Sequence, residues 1–145
     1  MIQRVQTIFL FLAAGVFGGF FGLPFASSDV AAPEFFSDKV FNVMDHAALI
    51  GLSGLGILLA LITIFLFKNR KLQIKFGYLI ICIAIILPAA AYFLFKNQSV
   101  STNSSVPISI QPGVFLPLVA IILAAIANYY IKKDDKLVKS MDRLR

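Results

Sequence analysis

Few side chains in this 145-residue chain could do chemistry, and their spacing limits what that chemistry is. His46 is the single histidine and follows Asp45, so an acid and a base stand side by side, but one imidazole cannot build a zinc or haem site within one chain. Cys82 is the single cysteine, which excludes an internal disulfide and a Cys-based metal cluster. It sits in an apolar run with nothing basic near it in sequence to hold a thiolate, and is expected to be a buried apolar filler. Ser53 and Asn128 are the distinctly polar residues deep inside apolar runs, and Asn128 is expected to hydrogen-bond across helices. Tyr78, Tyr92, Tyr129 and Tyr130 lie near the ends of such runs, where aromatic belts belong. No nucleophile is paired with a base, and no metal cluster or pair of carboxylates stands out, so an enzyme is the weakest functional reading and no catalytic, metal or cofactor-binding residue is assigned.

What must position these residues is a set of membrane helices. Apolar residues make up 59% of the chain and charged residues 14%, far outside the globular range. Thr7–Phe25, Ala47–Phe67, Phe76–Phe95 and Gly113–Ile131 are uninterrupted apolar stretches without Asp, Glu, Lys, Arg or His. About 20 residues at roughly 1.5 Å each cross a hydrocarbon core of roughly 30 Å as a helix. The runs are too long and too little alternated for barrel strands. The expected fold is therefore all-α, one membrane domain built as a four-helix bundle. The first run, with its charged start and the small residues Ala26, Ser27 and Ser28, also resembles a secretory leader, but it is longer than the usual apolar region of one and is expected to be retained. Without an ionisable residue in the runs, a proton or ion pathway is not indicated.

Charge sets the expected orientation. Arg4, then Lys68, Arg70, Lys71 and Lys75, then Lys132, Lys133, Lys136, Lys139, Arg143 and Arg145 would lie on one side, eleven of the thirteen basic residues. Only Lys39 and Lys96 lie on the other, with Asp29, Glu34, Asp38 and Asp45 in its first loop. The positive-inside rule places both termini in the cytoplasm. Topology then accounts for the net charge of +6 without invoking nucleic acid. The basic residues would contact anionic lipid or a membrane or cytoplasmic protein partner.

Small residues mark expected packing faces: Gly15 and Gly19 within a Gly-rich first run, Gly51 in the second, and Ala120, Ala124 and Asn128 every four residues in the fourth. Asp45 is expected to cap the second helix. Pro88 withholds an amide from the Ala84 carbonyl, so a kink is expected there. Loop one, with Phe35, Phe36, Val40, Phe41 and Met44, is expected to form a short surface helix. Loop three reads as flexible with one extended stretch around Val106, Ile108 and Ile110. Beyond Ile131, Leu137, Val138, Met141 and Leu144 keep helical spacing without Gly or Pro, so the tail is expected to continue the fourth helix.

Several stretches are specific: the opening Met1-Ile2-Gln3-Arg4-Val5-Gln6, the connection Phe67-Lys68-Asn69-Arg70-Lys71-Leu72-Gln73-Ile74-Lys75, Phe115-Leu116-Pro117-Leu118, and the ending with Ile131-Lys132-Lys133-Asp134, Leu137-Val138 and Asp142-Arg143-Leu144-Arg145. Over essentially the whole chain they resemble a bacterial family of small four-span inner-membrane proteins catalogued as a domain of unknown function. The resemblance implies a Gram-negative inner-membrane location and carries no activity or site residue. The functional expectation is a non-enzymatic accessory subunit or scaffold that binds a partner through its basic cytoplasmic face. A carrier of an apolar molecule such as a lipid or quinone, held in a side-opening helix groove, is the alternative.

Overall fold

The structure, a computed structural model, describes residues 3–28, 39–101 and 108–142. Among them, four long helices carry the fold: α1 (Gln3–Gly19), α2 (Ala47–Phe65), α3 (Arg70–Ser101) and α4 (Leu116–Asp142). α1 packs against α2 and α4, and α3 packs against the same two, so the order round the bundle is α1, α2, α3, α4. Three helical stretches are long and apolar enough to cross a membrane, Ala47–Lys68, Arg70–Lys96 and Pro112–Ser140, while α1 contributes the shorter apolar stretch Val5–Gly19.

The sorting of side chains is that of a membrane protein. The centre holds many small residues, with Ala13, Ala60, Ala84, Ala120, Ala124 and Ala127 fully buried. Large apolar residues point outward from every helix, among them Phe11, Leu58, Ile85, Phe93 and Leu118. In water such an outer surface would drive aggregation; in lipid it costs nothing, and small residues let backbones approach.

α3 overruns its apolar stretch at both ends, α1 at its start and α4 at its end, whereas α2 stops at Phe65 and the entry to α4 is a 3₁₀ turn over Pro112–Phe115. α1 stops at Gly19, where Phe21 N–H donates to Gly18 O at 3.1 Å and Leu23 N–H to Gly19 O at 2.9 Å, and Pro24 cannot continue the ladder. α3 begins at Arg70, ahead of the expected Phe76, and runs through Pro88. α2 is capped by His46, whose Nδ1 accepts from Ala48 N–H at 3.2 Å. The expected cap, Asp45, instead closes a 3₁₀ turn over Val43–Asp45, its carboxylate accepting from Asn42 N–H. α4 continues unbroken to Asp142.

At the end of the bundle opposite the basic residues lies a small antiparallel sheet, which the all-α expectation left out. β1 (Ala26–Ser28) is central, flanked by β2 (Val40–Phe41) and β3 (Ile108–Ile110). Ala26 pairs with Phe41 on one side and Ile110 on the other. β3 falls in the extended stretch expected in loop three. In loop one Val40 and Phe41 are strand, Met44 lies in the 3₁₀ turn Val43–Asp45, and Phe35 and Phe36 lie outside the described residues. A run of ring contacts ties the sheet to the core: Phe17–Phe20, Phe20–Phe25, Phe25–Phe41 and Phe41–Phe95, with centroids 5.9, 5.7, 5.9 and 6.3 Å apart. Gly113 lies where a Cβ would come within 2.3 Å of the Pro24 carbonyl oxygen, so the chain entering α4 can press against the turn after α1 only as glycine.

Candidate functional site

The basic end of the bundle is built by two connections. The link between α2 and α3 is a 3₁₀ turn, Leu66–Lys68, followed by Asn69, and it delivers Lys68, Arg70, Lys71 and Lys75 to this end. The second is the extension of α4 past Ile131, which carries Lys132, Lys133, Lys136 and Lys139. Both are clamped together by Arg70. Its Nη1 donates to the Asp134 carbonyl at 2.8 Å, and its Nη2 forms an ionic contact with Asp134 Oδ2 at 2.9 Å. The two side chains are only 19% and 14% exposed, so the pair is largely shielded from the screening that weakens surface salt bridges. Lys132 donates to the Tyr78 hydroxyl, a second tie between α4 and α3. Lys139 pairs with Asp135 one turn before it.

The remaining lysines are unengaged. Lys68, Lys71, Lys75, Lys133 and Lys136 are exposed, and their side chains have no partner among the described residues. Arg143 and Arg145 lie outside the described residues, as does the side chain of Arg4. Between the α2–α3 link and the α4 extension opens a cleft of about 540 Å³ whose wall includes Phe67, Lys68, Arg70, Lys71, Asp135 and Val138.

Beneath this end is a polar layer that the apolar runs concealed. Gln6, Thr63, Gln73 and Asn128, one from each helix, are at most 4% exposed. Gln73 Nε2 donates to the Thr63 carbonyl at 3.1 Å, and the Thr63 hydroxyl donates back to Leu59 O. Phe9 stacks on Tyr130 with centroids 5.9 Å apart, which sets the register of α1 on α4 and puts Gln6 near the level of Lys133. Gln6 and Gln73 flank the apolar runs, so hydropathy counts them as loop, and their burial follows only from helices that continue past those runs. Asn128 crosses to α3 by contact rather than by hydrogen bond. It rests where a Cβ on Gly77 would be 1.9 Å from its Oδ1, and neither its Oδ1 nor its Nδ2 has a partner among the described residues. Ser53 Oγ is likewise buried and unpartnered.

The small-residue faces divide. Ala120 and Ala124 are fully buried with Asn128, and Gly19 lies against Leu116, its would-be Cβ 3.7 Å from Leu116 Cδ2. Gly15 and Gly51 face outward, with nothing within 4 Å of a Cβ placed on them among the described residues, so they are not at a packing contact there. The close approach between α1 and α2 is made by Gly56 instead, where a Cβ would meet the Phe17 ring at 2.6 Å. Cys82 is exposed on the outside of α3, contrary to the expected buried filler. No group of three or more His, Cys, Asp or Glu able to hold a metal occurs among the described residues.

At the sheet end a second, apolar groove of about 350 Å³ lies beside Pro88, walled by Phe25, Phe41, Ala91, Tyr92 and Phe95. It lies between α3, the sheet and the chain entering α4, with Ile110 and Val114 also in its lining.

No curated protein and no solved structure matches the chain. One family model matches residues 2–144, covering both connections, the clamp between Arg70 and Asp134 and all four helices, and on that match the chain belongs to the domain of unknown function family DUF4293.

Proposed function

We propose that this chain is a bacterial inner-membrane protein of four spans with both termini in the cytoplasm, working as a non-enzymatic accessory subunit or scaffold that binds a protein partner through its basic face. The observation that carries the reading is the clamp of Arg70 on Asp134, which fixes the α4 extension against the start of α3. Five unpaired lysines then stand on backbone that is already fixed, so a partner has only their side chains to order. Leu137 and Val138 add exposed apolar surface to the same extension, which an exposed helix with only ion pairs of about 0.2–0.5 kcal/mol each would not favour unless something covers it.

The test is purification of the tagged full chain in mild detergent from its native membrane, in parallel with Leu137→Asp and with Lys132, Lys133, Lys136 and Lys139 all replaced by Arg. A partner requires particular side chains. A stoichiometric protein bound to the parent and lost from both variants supports the scaffold; one that binds all three equally, or none at all, removes the reading.

A second reading rests on the groove beside Pro88. An apolar groove of this size suits the chain of a lipid or quinone, and pockets of about 300–1,000 Å³ are the usual range for small ligands. Ala91 is buried in its wall, so Ala91→Phe should fill it and displace a co-purifying lipid or quinone without affecting the basic face.

A further inference from the structure

The cleft at the basic end has a mixed lining that a purely ionic surface would lack. Lys68 and Lys71 are exposed and unpaired, whereas Phe67 and Val138 make an apolar wall beside them. The acidic residue in the lining, Asp135, is already neutralised by Lys139, and the guanidinium of Arg70 is committed to Asp134. The charge left for an occupant is therefore positive. The depth of the cleft is also fixed by the chain. Phe67 is the last residue of an apolar stretch and Lys68 the first charge after it, so the cleft sits at the boundary between hydrocarbon and headgroups whichever way the protein is oriented.

We infer that this cleft is a binding site for one anionic phospholipid, its phosphate held by Lys68 and Lys71 and the upper part of an acyl chain lying along Phe67 and Val138. An inorganic phosphate would satisfy the lysines and leave the apolar wall bare. A zwitterionic lipid would match the wall but bring an ammonium toward two lysines. An anionic amphiphile matches both, and the leaflet presents its phosphates at this level without further cost. The bound lipid bridges the α2–α3 link and the α4 extension and reinforces the clamp made by Arg70. The inference deepens the scaffold reading of the same face, and rests on it only for placement in a membrane.

Native mass spectrometry of the full chain in detergent tests it, with phosphatidylglycerol, phosphatidylcholine and soluble glycerol 3-phosphate as the added probes. The parent should keep one phosphatidylglycerol at collision energies that strip phosphatidylcholine, and glycerol 3-phosphate should neither bind nor compete. Lys68→Gln with Lys71→Gln should weaken phosphatidylglycerol about 30-fold, the effect of two basic residues near an anionic headgroup. Lys133→Gln with Lys136→Gln removes the same charge outside the cleft and should weaken it no more than about threefold, since screening is steep over such distances. Val138→Gln should also weaken retention while leaving the charge intact. All these side chains are exposed, and unchanged helix content by circular dichroism confirms that each variant folds. Equal losses in the two lysine pairs, equal retention of phosphatidylcholine, or competition by glycerol 3-phosphate would each overturn the site. Loss of phosphatidylglycerol from the cleft variant with a protein partner still bound separates this inference from the scaffold reading, and the reverse result rejects the lipid site alone.

Discussion

Asn128 and Gly77 offer a direct measure of how tightly α3 and α4 are packed. An alanine methyl at position 77 would stand 1.9 Å from Asn128 Oδ1, 2.5 Å from its Cγ and 2.7 Å from its Nδ2. The contact at Cγ matters most, because turning the amide about χ2 leaves Cγ in place; only a change of χ1 clears it, and Asn128 is 4% exposed with little room to turn. Overpacking of this kind costs about 1–3 kcal/mol. Alanine recovers roughly 0.5–1 kcal/mol over glycine inside a helix, so Gly77→Ala should destabilise by about 1–2 kcal/mol. Asn128→Ala should be close to neutral, because the amide it removes has two buried polar atoms without partners among the described residues, and losing such a group offsets the small cavity. In the double variant the new methyl occupies the space the amide vacates, and most of the loss at Gly77 should return, a coupling of about 1–2 kcal/mol. At roughly 2–4 °C per kcal/mol for a chain of this size, thermal unfolding in detergent resolves all four corners of the cycle. If Gly77→Ala melts with the parent, or the double variant melts as low as Gly77→Ala, the amide is free to swing away and the close packing of α3 on α4 is mistaken.

Further outcomes follow from the same structure. Arg70→Gln should cost about 1.5–3 kcal/mol and speed amide exchange across residues 132–142; Asp134→Asn should do the same, and the double variant should be little worse than either single one, whereas additive losses would mean that the two do not act as a pair. Gly56→Leu drives a side chain into the Phe17 ring and should prevent stable folding, while Gly15→Leu, on the open face, should leave the melting temperature unchanged; a large loss at Gly15 would place another chain against that face. A phosphatase fused after Arg145 should be inactive if the C-terminus is cytoplasmic, and an active fusion would reverse the proposed orientation.

The four helices were legible in the sequence because long apolar runs report a helix without reference to anything distant, and three of the helical stretches are long and apolar enough to cross a membrane. The tail was legible for a related reason: with no Gly or Pro after Pro117 and an apolar spacing through Leu137 and Val138, nothing stops the helix. Which face of a helix packs was not legible, since Gly15 and Gly56 look alike in sequence and only the rotation set by neighbouring helices turns one outward and the other onto Phe17. The same reason explains Cys82, which shares an apolar run with buried residues yet faces out. The sheet was missed because it joins three segments far apart in the chain, and a strand of two or three residues carries almost no periodicity. Gln6 and Gln73 were missed because hydropathy marks where a segment enters the hydrocarbon, whereas helix packing here continues about a turn beyond it. Of the site, the basic residues could be read from charge alone, but their division into clamped and free ones depends on Asp134, whose pairing with Arg70 spans 64 residues.

The brevity of α1 has a consequence for the surrounding bilayer. Its 17 residues make a rod of about 25 Å, against about 48 Å for the 32 residues of α3. A hydrocarbon layer of about 30 Å is covered by α3 with length to spare, but not by α1. Embedded as proposed, the remaining depth beside α1 falls to the turn Phe20–Pro24 and the start of the sheet, whose amides at Phe21, Gly22, Leu23 and Phe25 all have carbonyl partners and can therefore tolerate a dry environment. Lipids on that flank therefore meet a wall completed by turn and sheet rather than helix, and freeing one of those amides should be far costlier there than in an ordinary surface loop.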